Sequence, residues 1–387
     1  MACVGGLVGD TDQFLRVVRS HAHLEDNLAF VREPDNVEIV AVGDGNLNDV
    51  ARLKDRRNSN SSVIVKYAPP FIKCLGPEYP LAVERGSVEF QALVKFNTAS
   101  PGSCPRTYFY DSTARIICME DLRSYKDLRR EIIQGVLSDE AVKCIAKHIA
   151  IVHRQNHVAK LSTPDMEALL KLFGYTDLVQ LTEQFVFTKP FTKDDPTNKF
   201  SEEVSMHAHL VYDNPQVLAN AEKMKKVFLE KKECLIHGDL HTGSIMVCND
   251  SAKLMDIEFA FVGPGAFDIG CLIANYIMSY YQHMSDGNRQ FAYRTIDFCK
   301  LTGKTYFENM TSYTGDMDGY NKNFVSEVAG FAGCEIIRRI LGAAHVEDLE
   351  GRPLAAVDAL GAGVRLIVAK DRIDTVDRLM VIAHMLT

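Results

Sequence analysis

The spacing of apolar residues in this chain changes about a third of the way along. Between residues 37 and 68 they come in short β-branched runs. Val37-Glu38-Ile39-Val40-Ala41-Val42 stops at Gly43-Asp44-Gly45-Asn46-Leu47-Asn48, and after a polar gap Ser62-Val63-Ile64-Val65-Lys66-Tyr67 starts another. Branched side chains suit a pleated surface, so the stretch reads as strand, turn, strand. Leu81 to Lys95 carries a helical pattern, with Val88, Leu93 and Val94 expected to be buried. Ala114-Arg115-Ile116-Ile117-Cys118-Met119 is again strand-like and empties into Glu120-Asp121-Leu122. From Tyr125 onward the apolar spacing becomes three and four residues. It predicts helices over Leu128 to Val136, Asp139 to Ala159 and Pro164 to Phe173, and another opened by Asn214-Pro215. Cys234-Leu235-Ile236 and Ser244-Ile245-Met246-Val247-Cys248 interrupt them as short strands, and Ala252-Lys253-Leu254-Met255-Asp256 follows a turn.

Composition narrows the picture modestly. At 387 residues the chain is too long for one ordinary core, so two lobes are expected. A formal charge of −8, from 51 acidic and 43 basic side chains, argues against a general nucleic-acid or membrane surface. No apolar run approaches the ~18 residues of a membrane span. The ten cysteines are scattered without a Cys-x-x-Cys pair, which reads as buried thiols in a reducing cytoplasm. His153 and His157 stand at helical i,i+4 spacing but lack a third ligand nearby, and read as ordinary helix residues.

Three carboxylates carry the chemistry. In His237-Gly238-Asp239-Leu240-His241-Thr242-Gly243-Ser244-Ile245, Asp239 lies in a Gly-tolerant turn between two apolar runs, and Asp256-Ile257-Glu258 closes the next run. A phosphoryl-transfer site needs an acceptor for the substrate hydroxyl proton and anionic oxygens for the magnesium on the nucleotide phosphates. Asp239 suits the first task. Asp256 and Glu258, placed on one face by strand alternation, suit the second. A glycine turn such as 43–48 lets backbone amides approach phosphate oxygens. Lys66, an ammonium in an apolar strand, asks for a partner, and Glu89 on the following helix is preferred over Glu84. The strand end at 119–122, with Glu120 and Leu122, is a candidate crossing between lobes where backbone groups meet an adenine edge.

These residues resemble those of the aminoglycoside phosphotransferase and choline kinase group. That group usually has Asn five residues after the catalytic Asp, whereas this chain has Ser244, with Glu258 beyond Asp256. This departure resembles one branch, the 5-methylthioribose kinases, over roughly residues 30 to 370. Gly-Asp-Gly-Asn-Leu-Asn at 43–48, Ile-Val-Lys at 64–66, Met-Glu-Asp-Leu at 119–122, Phe185-Val186-Phe187-Thr188, Glu258-Phe259-Ala260-Phe261 and Ile336-Ile337-Arg338-Arg339-Ile340 all look like that family's motifs, in order. The resemblance implies an α+β, bilobal protein-kinase-like fold: a small N-terminal antiparallel-sheet lobe (1–121) and a larger, mainly helical C-terminal lobe (122–387). It implies ATP-dependent phosphorylation of the anomeric hydroxyl of 5-methylthioribose in methionine salvage, with magnesium, and a homodimer.

The same resemblance implies that ATP lies between the lobes, its phosphates under Gly43, Asp44, Gly45, Asn46 and Asn48 and its adenine beside Glu120 and Leu122. Arg338 and Arg339 are then expected at the sugar and the transferring phosphoryl group, although consecutive helical residues diverge by about 100°. The family commonly has a tryptophan in the loop after the strand lysine. This chain has no tryptophan, and Tyr79 is the expected substitute. Asp268 is expected to brace the catalytic loop by hydrogen bonds. Two rivals stand beside this reading: a same-fold kinase for another small alcohol, and a catalytically inactive nucleotide-binding regulator.

Overall fold

A computed structural model describes residues 11–42, 47–73, 76–310 and 317–384. The chain forms two compact units, residues 1–124 together with 255–259, and residues 125–254 together with 260–387. The segment bearing Asp256 and Glu258 thus belongs to the first unit.

In the first unit, α1 (Thr11–Ser20) and a 3-10 turn (Asp26–Arg32) precede a five-stranded antiparallel sheet. Its strands are β1 (Val37–Ala41), β2 (Asp49–Asp55), β3 (Ser62–Tyr67), β4 (Thr107–Asp111) and β5 (Ile116–Glu120), in the order β1-β2-β3-β5-β4. Leu28 and Val31 of the turn join Leu53, Val63, Val65 and Cys118 of the sheet in one core. Helix α2 (Arg85–Ala99) follows β3. The expected strand–turn–strand at 37–68 is in fact three strands. β2 escapes the sequence pattern because its inward positions are Asp49, Ala51, Leu53 and Asp55, only two of them apolar. The glycine loop therefore joins β1 to β2, and Gly43, Asp44, Gly45 and Asn46 lie outside the described residues. Val94 is exposed rather than buried, while Val88 and Leu93 are buried as expected.

The second unit is mainly helical. It opens with β6 (Lys126–Asp127), α3 (Leu128–Ile133) and α4 (Asp139–Gln155), and continues through α5 (Thr163–Leu172), α6 (Asp177–Thr182), α7 (Glu202–Ser205), α8 (His209–Tyr212) and α9 (Pro215–Glu230). Two small antiparallel sheets follow, β10-β7 and β6-β8-β9, from β7 (Cys234–Ile236), β8 (Ile245–Cys248), β9 (Ser251–Leu254) and β10 (Phe261–Gly263). The core is α10 (Gly265–Ser285), packed with α11 (Arg289–Met310), α12 (Met317–Leu341) and α13 (Pro353–Ala369); α14 (Val376–Ala383) closes the unit. Helix α10 is buried almost all round, which explains why its sequence shows little amphipathic contrast. Phe187, Phe228, Phe267 and Phe331 interlock with ring centroids 4.8–6.0 Å apart. The Phe185–Thr188 motif lies in a π-helical turn (Glu183–Thr188), which places Phe187 in this cluster. No helix among the described residues is long and apolar enough to cross a membrane.

Candidate functional site

In the first unit the charged groups gather on Lys66. β3 buries Val65 and Lys66 consecutively, so the ammonium needs counter-charges to offset its desolvation. It has them: Lys66 Nζ lies 2.8 Å from Glu89 Oε1, 2.7 Å from Asp256 Oδ1 and 3.9 Å from Glu258 Oε1. Burial pulls the Lys66 pKa down, but Asp256, Glu89 and Glu258 together raise it above its ordinary value. Burial lifts the Glu89 carboxyl, against the pull of Lys66. Glu84 is exposed and makes no such pair among the described residues.

Asp256 and Glu258 converge on Lys66 by a route other than strand alternation. β9 stops at Leu254, Asp256 takes a left-handed conformation (φ 58°), and Ile257–Phe259 is a 3-10 turn. The turn re-aims both carboxylates. Glu258 is buried, and both its oxygens accept from Asn48 Nδ2, at 2.9 and 2.8 Å. Arg85, which no sequence motif sets apart, holds this group together. Its Nε donates to Asn48 Oδ1 (3.2 Å) and lies 3.5 Å from Glu258, and its other nitrogens donate to the carbonyls of Leu47, Pro69 and Ala82.

The other expected residues of this unit are more dispersed. Glu120 ends β5, its backbone N–H donating to Arg106 O and its side chain accepting from the Arg106 N–H. Asp121 takes two hydrogen bonds from Arg52, at 2.7 and 3.0 Å, and Leu122 is buried. Tyr79 is about half exposed, on a loop tied by the Ile72 N–H to the Tyr79 carbonyl.

In the second unit the groups gather on Asp239. β7 is wholly buried, and Gly238 turns the chain with φ 84°, a conformation open to glycine at little cost. Asp268, fully buried on the first turn of α10, accepts from the N–H groups of His237 (2.7 Å) and Gly238 (3.0 Å). His153 lies 3.1 Å from Asp268 and 2.9 Å from the Tyr306 hydroxyl. The loop that carries Asp239 is therefore braced from behind by buried polar groups.

Both arginines reach Asp239 despite being consecutive. Arg338 Nη2 donates to Asp239 Oδ1 at 3.1 Å, and Arg339 Nη2 stands 3.8 Å from the same oxygen. Glu335, fully buried one turn earlier, accepts from Nε of each, at 2.6 and 2.8 Å. Its position at i−3 and i−4 lets one carboxylate draw two diverging side chains together. That spacing is visible in the sequence. Arg339 Nη2 is buried without a hydrogen-bond partner among the described residues. Burial would raise the Asp239 carboxyl, but His241, Arg338 and Arg339 hold it well below the usual carboxylate range. Burial lowers His241, leaving it neutral at pH 7.

Among the described residues no three His, Cys, Asp or Glu side chains form a cluster fit for a metal ion. Asp256 and Glu258 nonetheless suit magnesium, a hard ion commonly held by one or two carboxylates with phosphate and water oxygens completing its shell.

The family described as "Phosphotransferase enzyme family" matches residues 189–300. The chain is 33% identical over 336 residues to a methylthioribose kinase of Bacillus velezensis, covering 86% of this chain and 85% of that protein. It is also 33% identical to a methylthioribose kinase of Geobacillus thermodenitrificans, covering 86% and 87%. Among solved structures, a choline kinase from Cryptosporidium parvum Iowa II aligns with a TM-score of 0.51 at 10% identity, over 94% of this chain and 96% of that one. That likeness establishes the α+β protein-kinase-like fold.

Proposed function

We propose a function from one premise: the chain belongs to the methylthioribose kinase family. In our reading it transfers the γ-phosphoryl group of ATP to the anomeric (1-) hydroxyl of 5-methylthioribose, a step of methionine salvage. The observation that carries this chemistry is Asp239, an ionised carboxylate hydrogen-bonded to Arg338 and flanked by Arg339. A carboxylate at the end of a braced loop can orient a hydroxyl and accept its proton. Two fixed guanidiniums beside it favour an anion in transfer and oppose a cationic acceptor such as choline. Nη2 of Arg339, without a hydrogen bond among the described residues, suits an oxygen of the sugar or of the phosphoryl group.

In the first unit, Lys66 is assigned to the nucleotide phosphates and Glu89 to holding it in place. The 43–48 loop, Glu120 and Leu122 are assigned to nucleotide binding, and Tyr79 to the substrate. Asp256 and Glu258 would hold magnesium, with Asn48 and Arg85 fixing the Glu258 carboxylate. Bound there, the ion would neutralise charge on the phosphate oxygens. A homodimer and a cytoplasmic setting complete the proposal. The latter is supported by eight free cysteines among the described residues, which suit a reducing compartment.

ADP release from Mg-ATP, compared for 5-methylthioribose, ribose, choline and kanamycin, tests the reading. Turnover confined to methylthioribose is expected. Turnover on choline or kanamycin instead would overturn the substrate, and ATP binding without turnover on any acceptor would favour a regulator.

A further inference from the structure

Arg129 is absent from every motif above, yet its guanidinium touches three separate parts of the second unit. From α3, its Nε donates to Thr242 Oγ1 (3.2 Å) and lies 3.4 Å from Asp348 Oδ2. Its Nη2 lies 3.3 Å from Asn275 Oδ1 on α10 and 3.4 Å from His241 Nδ1 on the catalytic loop. Asp348 sits in the 3-10 turn Glu347–Leu349, almost fully buried. Neither of its carboxylate oxygens has a hydrogen bond, and Arg129 is its one ion-pair partner among the described residues. A buried carboxylate so placed locks a guanidinium in position more than it stabilises the fold. Gly243 makes room for the contact: a Cβ there would lie 3.1 Å from the His241 ring and 3.4 Å from the guanidinium carbon.

The consequence lies in the imidazole. A guanidinium donates hydrogen bonds and accepts none, so His241 Nδ1 beside it is an acceptor. In the neutral ring the proton then resides on Nε2. Nε2 lies 3.4 Å from Asp239 Oδ2, while Arg338 holds Oδ1. Ser244 Oγ is 3.4 Å from both ring nitrogens, and its hydroxyl can serve either, so it does not select the tautomer. Arg129, Arg339 and Asp239 are the charged groups acting on the ring, and burial with the two arginines keeps it neutral against the pull of Asp239.

We infer that Arg129, anchored by Asp348, is a positioning residue that fixes the Nε2–H tautomer of His241 and thereby orients Asp239. This rests on the reading of Asp239 as the base. The relay has direction: Asp348 fixes Arg129, Arg129 fixes the ring, and the ring holds the second oxygen of Asp239. The first oxygen is set independently by Arg338.

The experiment combines a tautomer measurement with a double-mutant cycle on the full chain. In ¹⁵N-imidazole spectra, with the His241 signals assigned by their absence in His241→Gln, the wild type is expected to show Nε2–H, and Arg129→Gln a mixture. A wild-type Nδ1–H signal overturns the inference whether or not the sugar is a substrate. In kinetics, Arg129→Gln should lower kcat by about 10-fold or more while leaving the KM for ATP nearly unchanged. In the His241→Gln background the same substitution should add less than about twofold. Equal losses in both backgrounds overturn the relay and leave Arg129 a structural residue. If Arg129→Gln does not fold, Asp348→Asn frees the same guanidinium and is read in the same way. Wild-type silence on methylthioribose would overturn the substrate assignment, with the spectra still deciding the tautomer.

Discussion

Asp239 shows how single residues divide the work. Its carboxyl is depressed by His241, Arg338 and Arg339, so it remains ionised at every pH above the ordinary carboxylate value of about 3.9. Removing Arg338 removes one of the depressing charges and raises the carboxyl. Activity is then lost at a higher pH as the solution is acidified. Arg338→Met should therefore move the acid limb of the kcat/KM profile upward, and a limb that stays in place would show that Arg338 does not act on the base. Glu335 serves a different purpose. Replacing it by Gln leaves two buried guanidiniums without their shared carboxylate, for an expected loss of roughly 3 kcal/mol in denaturant unfolding. The motif residues were legible because local spacing set them apart. Arg85, Arg129 and Asp348 were not, because the contacts that matter for them are made across long sequence separations. Nor does local spacing announce that the Asn48 side chain donates to Glu258, 210 residues further on. The left-handed turn at Asp256 was equally hidden, since an Asp after a strand reads as more strand.

At the scale of elements, legibility followed burial pattern. β3 and the helices α4 and α9 lie close to where their apolar spacing predicts them. β2 and β4 do not announce themselves, one having carboxylates at buried positions and the other burying only Phe109. The close helix crossings were also invisible. At Gly270 of α10 a Cβ would meet Phe331 Cβ at 2.7 Å, and at Gly333 of α12 it would meet the Gly363 carbonyl at 2.8 Å. These glycines let α12 lie tightly between α10 and α13. Because α12 carries Glu335, Arg338 and Arg339 close beyond Gly333, any shift of the helix also moves the site. Gly333→Ala should destabilise the protein by about 1–3 kcal/mol and lower kcat with it. Wild-type stability in this variant would mean that the crossing is looser than described.

For the whole molecule, the two units divide the proposed chemistry. Lys66, Asp256 and Glu258 belong to one, and Asp239 with its arginines to the other. The division was partly legible: strand-like and helical stretches separate along the chain, but the return of residues 255–259 to the first unit has no local signature. The proposed homodimer predicts a sedimenting species of twice 43.2 kDa, and a monomer at all concentrations would remove that part of the account. The central claim is that Asp239 accepts the proton of the sugar hydroxyl. It is tested most directly by turnover of methylthioribose in Asp239→Asn, with ATP affinity measured on the same sample. The account predicts ATP binding close to wild type and turnover lower by roughly 10²-fold or more. Undiminished turnover would contradict it.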